Sequence, residues 1–210
     1  MISVQQHIST QLSKKKPGDL IFPTDFRGSG TEVAIKQALS RLAKTGTVAR
    51  LAHGIYFIPK TDSLLGKVHP SPEDVAKMLA KKEKVNIRPA GAYALHKLGL
   101  TTQVPTKLVY ITDGPPRLIR IGKTTIQFKA TTNKKLATKG TTSSLLIQAL
   151  EELNLQELDN KKKQKILELL KKEKPKILKH DLTIAPARIN DFIVNLLKQE
   201  NNDGLATVNR

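Results

Sequence analysis

Residues 31–44 constrain the fold of this chain most, because their apolar and polar side chains separate onto two sides of a helix. The apolar residues recur at helical spacing and form one stripe: Ile35, Ala38, Leu39 and Leu42. The other side carries polar and basic residues: Thr31, Lys36, Gln37, Ser40, Arg41 and Lys44. This pattern predicts an amphipathic helix that buries one face and presents the other to solvent.

Turn-forming residues mark both ends of this helix. Gly28–Gly30 precedes it as a tight turn, Thr31 is suited to cap its N-terminus, and Gly46 closes it. We predict a short helix before the turn and a two-stranded hairpin after Gly46, with strands Val48–Leu51 and Ile55–Ile58. The order helix, turn, helix, hairpin is that of a winged helix-turn-helix.

The polar side of the predicted helix has the chemistry of a DNA-reading surface. Arg and Lys bind guanine or phosphate, Gln pairs with adenine, and Ser or Thr contacts either in the major groove. Arg27 beside the turn would hold a phosphate, and Arg50 and His53 would place the hairpin on the adjacent backbone or minor groove. The alternative is a winged helix used only for protein contacts, with His53 a solvated side chain. The predicted DNA-binding residues are Arg27, Thr31, Lys36, Gln37, Ser40, Arg41, Lys44, Arg50 and His53.

The charge of the chain points to a polyanionic partner. Its 210 residues carry a formal net charge of +18, from 36 Lys and Arg against 18 Asp and Glu. Such a surplus suits DNA, RNA or an anionic membrane surface, although a lysine-rich proteome would also produce it. Residues 59–140 contain 16 of the basic and 5 of the acidic residues, whereas residues 1–58 contain 8 and 3. The middle segment therefore either extends a DNA footprint or forms a solvated face.

Several functional classes lack support in the sequence. There is no cysteine, which excludes disulfides, thiolate catalysis and Cys-type zinc fingers. The five histidines show no metal-ligand spacing, and neighbouring carboxylates such as Glu151 and Glu152 point about 100° apart on a helix. No apolar run approaches the roughly 18 residues that span a bilayer, and no signal-peptide core is present. We expect a cytoplasmic, non-enzymatic protein that needs no cofactor or metal.

The periodicity of the remaining residues predicts an α+β chain. We expect an N-terminal winged helix-turn-helix domain followed by a mixed α/β domain with a helical C-terminal part. The predicted boundaries are 1–60 for the DNA-binding domain, 61–70 for a linker, 71–200 for the second domain and 201–210 for a flexible tail. Helices are predicted at 73–82, 90–98, 145–153, 161–174 and 186–199, and strands at 107–112, 117–121 and 124–129.

Three segments carry a resemblance to a known family. The wing Arg50–Tyr56 has the form R-L-x-x-G-I-Y, the helix and turn of Ala92–Pro105 end in LGLTTQVP, and Val109–Gly114 follows as a strand. In this order they resemble AbiEi, the antitoxin family of the AbiE abortive-infection (phage defence) systems. LGLTTQVP is the most specific of the three, and the resemblance covers residues 1–140.

The resemblance implies a transcriptional autorepressor that is also a type IV antitoxin. Such antitoxins counter a nucleotidyltransferase-like toxin encoded beside them, and direct contact with the toxin is not required. The family's N-terminal domain represses its operon by binding repeats in its own promoter, and its second domain is linked to antitoxicity. By position, the DNA-reading role falls on Thr31–Lys44 and Arg50–Gly54.

Two other classes of protein remain open. A basic RNA- or ribosome-associated protein would explain the lysine content, although aromatic residues are only 4% of the chain and single-strand recognition relies on aromatic stacking. A nuclease or nucleotidyltransferase would need converging carboxylates to hold a metal, and the sequence spacing indicates none.

Overall fold

The computed structural model describes residues 3–64 and 66–208, which form an α+β fold. The chain divides into two compact units. The first contains the residues up to Leu79 together with Ile119–Thr125, and the second contains Ala80–Leu118 and the residues from Ile126 onward.

The first unit combines helices with a small antiparallel sheet. Its elements are α1 (Val4–Leu12), β1 (Leu20–Ile21), a 3₁₀ helix (Pro23–Phe26), α2 (Glu32–Lys44), β2 (Ala49–Ala52) and β3 (Ile55–Phe57). The three strands are ordered β1-β3-β2. A hairpin of β4 (Lys60–Asp62) and β5 (Gly66–Val68) follows, and all of it except Lys60 falls in the stretch predicted as a linker. Helix α3 (Pro72–Glu83) comes next, and the boundary between the two units falls within it, after Leu79.

The core of this unit forms where α1, α2 and the sheet bury their apolar sides. The predicted stripe of α2 is confirmed as buried, and it packs with Ile8, Leu12, Ile21, Phe26, Val48 and Tyr56. The turn before α2 lies close to α1, since a Cβ on Gly30 would come within 2.8 Å of Val4 Cγ2. Gly30 also has a φ of +156°, which favours glycine. The predicted glycine turn is therefore a packing requirement as well as a change of direction.

The second unit contains a set of helices and a four-stranded sheet, except for Ile119–Thr125 at the ends of two of the strands, which belongs to the first unit. The strands are β6 (Ile87–Ala90), β7 (Lys107–Thr112), β8 (Arg117–Ile121) and β9 (Thr124–Ala130). Their order in the sheet is β6-β7-β9-β8. The helices are α4 (Gly91–Lys97), α5 (Asn133–Leu136), α6 (Thr141–Leu150), α7 (Asn160–Lys171), α8 (Pro175–Ile184) and α9 (Ala187–Val208).

Helix α6 begins four residues before the predicted start, because two carboxylates accept hydrogen bonds at its N-terminus. Glu173 Oε2 accepts from the backbone N–H groups of Thr142 and Ser143, at 3.0 and 3.2 Å. Asp181 is fully buried and accepts from the backbone of Lys139 and Gly140, at 2.7 and 2.8 Å. Helix N-termini leave such N–H groups without intrahelical partners, and negative charge stabilises them. We call Glu173 and Asp181 the α6 clamp.

The ionised form of Asp181 is held by its surroundings. Burial opposes the charge, but hydrogen bonds from the Ser143 hydroxyl, His180 and the two backbone N–H groups outweigh burial, and the pKa of Asp181 is lowered. Arg88 binds the same stretch of chain around the start of α6, donating to Ser144 Oγ at 2.7 Å and to the carbonyls of Leu136 and Thr138. Burial lowers the pKa of Arg88, and the charge of Asp181 opposes that effect.

Two further differences from the sequence prediction concern the C-terminal helices. Pro175 opens α8, a helix that was not predicted from the sequence. Helix α9 begins after Pro186 as predicted but continues to Val208, through most of the stretch predicted as a tail; residues 209 and 210 lie outside the described part of the chain. Within the described residues, no helix is both long enough and apolar enough to cross a membrane.

Candidate nucleic-acid interface

Five of the six polar residues that the sequence assigned to the outer face of α2 lie within this helix, and the sixth, Thr31, caps its N-terminus. All six residues are exposed to solvent: Thr31, Lys36, Gln37, Ser40, Arg41 and Lys44. On the opposite side, Leu39 is completely buried and Ile35 and Leu42 are nearly so. The packing of α1 and the sheet against that side leaves the polar face open.

The ends of α2 are fixed by the residues predicted to do so. The Thr31 hydroxyl accepts a hydrogen bond from the backbone N–H of Ala34 at 3.3 Å, and its own O–H remains available as a donor. At the other end, Gly46 has a φ of +80°, the left-handed conformation that closes a helix. Arg41 and Lys44 lie in the last turn, where their charge complements the helix dipole.

An ion pair lies on the first turns of this face. Lys36 Nζ is 2.5 Å from Glu32 Oε1, one helical turn earlier. The hydrogen bond and charge of Lys36, with a smaller contribution from Arg27, lower the pKa of Glu32. Arg27 itself is exposed. A carboxylate at the N-terminal end of α2 therefore pairs with one predicted DNA-binding cation, Lys36, and feels the charge of a second, Arg27.

The hairpin of β2 and β3 brings its two predicted residues together. Arg50 Nη2 lies 3.4 Å from His53 Nδ1, and Arg50 Nε donates to the Ala52 carbonyl at 3.4 Å. The strand pairing shifts register between Arg50 and Ala52, and Gly54 turns the chain with a φ of +69°. Both Arg50 and His53 are exposed, so the turn offers a cation and an imidazole side by side.

One residue of this surface was not predicted from the sequence. Val33 lies in the first turn of α2 and is 65% exposed, although it is apolar. Counting about 100° per residue places it almost opposite Leu42, at the centre of the outer face. That count could have identified it in the sequence, but Val33 was assigned neither to the buried stripe nor to the polar side.

Several basic residues of the middle segment have partners within the chain. Arg117 forms a two-point ion pair with Glu83, with N–O distances of 2.5 and 2.6 Å. Lys77 pairs with Glu73 at 2.8 Å, and Lys135 approaches Glu151 to 2.7 Å. Arg88 is also engaged within the chain, by Ser144 and Thr138, so part of the local charge surplus is structural. Other basic residues of the segment are exposed: Lys81, Lys84, Arg120, Lys123, Lys129, Lys134 and Lys139.

The part of the chain that the structure describes contains no candidate metal-binding cluster. No three His, Asp or Glu side chains converge there into a group that could hold an ion.

Comparison with protein families gives a family assignment. A family model matches residues 7–178 and so includes α2, the hairpin and the sheet of the second unit. The chain belongs to this family. It is described as a family of unknown function, DUF6088. No curated protein matched the chain.

Proposed function

We propose that the first unit is a winged helix-turn-helix and that the chain is a DNA-binding transcriptional autorepressor. The element order α1, 3₁₀ helix, α2 and hairpin supports this reading, as does the sheet order β1-β3-β2. In such modules the second helix of the pair enters the major groove and its N-terminal residues contact bases. Helix α2 takes that place here.

The exposed polar face of α2 is the observation that carries the proposal. A solvated helix needs only hydrophilic side chains, whereas this face combines amide, hydroxyl and cationic groups on neighbouring turns. Gln37 would pair with adenine, Arg41 with guanine or phosphate, and Lys44 with phosphate. The Arg50–His53 turn would contact the backbone beside the groove.

A promoter-reporter experiment tests repression by the whole chain. The DNA upstream of the gene drives a reporter in cells that lack the chain, and either the wild-type chain or Arg41→Ala/Lys44→Ala is supplied from another promoter. We expect the wild type to repress the reporter and the variant to relieve repression. Lys161→Ala/Lys172→Ala removes the same charge from exposed positions at the two ends of α7 and should still repress. Indifference of the reporter to the wild-type chain would contradict the proposal.

We further propose that the chain is a cytoplasmic, non-enzymatic type IV antitoxin against a nucleotidyltransferase-like toxin. The support is the resemblance of Arg50–Tyr56, Ala92–Pro105 and Val109–Gly114 to the AbiEi family. The last two segments lie in the second unit, which by that resemblance would carry antitoxicity.

Co-expression tests the antitoxin role separately from DNA binding. The toxin is induced from one plasmid and the chain from another, both under foreign promoters. The wild type should restore growth, and Arg41→Ala/Lys44→Ala should restore it equally, because neither altered residue lies in the second unit. Failure of the wild type at matched protein levels would contradict the antitoxin role and leave repression to be judged by the reporter.

A further inference from the structure

The exposed valine at the centre of the outer face of α2 has no role in the packing of the first unit. Val33 is 65% exposed, while the apolar residues of the same helix that face α1 and the sheet are buried. Apolar side chains do occur singly on protein surfaces. The position of Val33, however, is the one at which a groove-binding helix comes nearest to the bases.

Helical geometry places Val33 in the middle of the polar residues. At about 100° per residue, Val33 lies about 40° from Gln37 and about 20° from Ser40 around the axis. It also lies in the first turn, whose residues contact base edges when a recognition helix enters the major groove. Its neighbour one turn later is Gln37, the side-chain type that pairs with adenine.

Thymine is the base that an apolar side chain recognises in the major groove. It alone presents a methyl group there, at C5, and apolar contact with that methyl distinguishes it from the other bases. Burying Val33 against a methyl group would remove apolar surface from water on both partners.

We propose that Val33 is a specificity-determining residue that contacts the C5-methyl of a thymine in the DNA bound by α2. The inference rests on the proposed function, since it requires α2 to enter the major groove. It adds a base preference that the polar side chains alone do not supply.

The experiment removes apolar groups from each side of the contact, namely the two γ-methyl groups of Val33 and the C5-methyl of a thymine. The sequence protected in the promoter is first mapped by footprinting with the wild-type chain. Each thymine in it is then replaced singly by deoxyuridine, which lacks only the C5-methyl. Binding of the wild type and of Val33→Ala is measured on every duplex. Val104→Ala is the matched control, because Val104 is 77% exposed and lies in the second unit.

We expect one thymine, or one per half-site, at which deoxyuridine weakens wild-type binding about three- to tenfold. Val33→Ala should bind the thymine duplex more weakly by a similar factor and should be insensitive to deoxyuridine at that position. Val104→Ala should behave as the wild type on every duplex.

Two results would overturn the inference while leaving the proposed function intact. One is promoter binding by Val33→Ala equal to that of the wild type, which would be expected if Val33 instead contacted a second copy of the chain. The other is a loss in Val33→Ala that is the same on thymine and deoxyuridine duplexes. Absence of any promoter binding by the wild type would overturn the proposed function itself, and this inference with it.

Discussion

At the residue scale, the outer face of α2 contains two kinds of side chain with different expected effects on DNA binding. Gln37 and Ser40 lie near the centre of the face and have hydrogen-bonding groups that match base edges. Lys44 lies in the last turn, where its cation can meet phosphate whatever the sequence. Substituting the two kinds of residue should therefore separate the contribution of base recognition to DNA affinity from that of charge.

We predict that Gln37→Ala and Ser40→Ala reduce the preference for promoter over scrambled DNA, because lost base contacts cost about 1–3 kcal/mol each on the correct site. Lys44→Ala should weaken binding to both duplexes by a similar factor. It should also lower the slope of log affinity against log salt concentration by about one, the value for one phosphate contact. Fluorescence anisotropy with both duplexes measures the three variants. Equal losses on both duplexes for all three would contradict the assignment.

The ion pair between Glu32 and Lys36 gives a second prediction. Glu32→Gln removes a carboxylate beside Lys36 and Arg27, so we expect promoter and scrambled DNA both to bind about two- to fivefold more tightly at low salt. Glu168→Gln, which removes the exposed partner of Lys165 in α7, is the control and should change neither affinity. Weaker binding by Glu32→Gln would show instead that this carboxylate orients Lys36 or contacts the DNA directly.

The sequence predicted which side chains are exposed where a single helix determines their direction. Periodicity placed Lys36, Gln37 and Arg41 on the exposed side because they share a helix with a buried stripe. It did not predict that Lys36 is engaged by Glu32, or that Arg50 turns toward His53. Those contacts depend on side-chain rotamers that residue spacing does not specify.

At the scale of elements, the α6 clamp determines where the central helix of the second unit begins. Glu173 and Asp181 both bind its N-terminal segment, where a Cβ on Gly140 would lie only 2.4 Å from Glu173 Oε2. Glycine at that position lets the carboxylate reach the backbone. The start of α6 is thus determined by residues from α8 and from the segment before it.

We predict that Asp181→Asn destabilises the chain by about 2–4 kcal/mol, because an amide cannot accept all the hydrogen bonds made to this buried carboxylate. The folded-state pKa of Asp181 is lowered, so its contribution is present above the ordinary aspartate pKa near 3.9 and lost as pH falls through the folded value. Urea unfolding between about pH 7 and pH 3 measures this contribution.

The wild type should lose stability more steeply than Asp181→Asn over the acid end of that range. Asp191→Asn, at an exposed position of α9, is the matched control and should follow the wild type throughout. Parallel pH curves for the wild type and Asp181→Asn would contradict the role given to the ionised carboxylate.

Helices and strands were predictable from the sequence where periodicity and turn residues indicate the same boundaries. They were missed where residues distant in sequence determine the boundary. Strand β6 contains Pro89, which argues against a strand, yet it lies at the edge of its sheet, where proline is tolerated. The early start of α6 depends on the carboxylates of Glu173 and Asp181, which lie about 30 and 40 residues later in the chain. Hydrogen bonds over such separations leave no periodic pattern in the sequence.

At the scale of the whole molecule, the two proposed roles, DNA binding and antitoxicity, are assigned to different units. The predicted reading helix and hairpin both lie in the first unit. The middle segment has the largest charge surplus, but Lys77, Arg117 and Lys135 form internal ion pairs. Net charge alone therefore overstates the surface available to a polyanion. The family assignment over residues 7–178 includes parts of both units.

Organisation at this scale was only coarsely predictable. The α+β class followed from a switch between helical and alternating patterns along the chain. The assignment of Ile119–Thr125 to the first unit did not, because residues so far apart in sequence give no local signal of belonging together. Arg88 and Ser144 illustrate the same limit, since they are hydrogen-bonded across 56 residues.

The most direct test of the central claim is a salt titration of the purified chain on its own upstream promoter DNA, beside a scrambled duplex of equal length. Both affinities should fall steeply with salt, because phosphate contacts release counterions. A specific repressor should keep a preference for the promoter of roughly a thousandfold or more at physiological salt. Equal affinity for the two duplexes at every salt concentration would contradict sequence-specific repression and leave only a general polyanion surface.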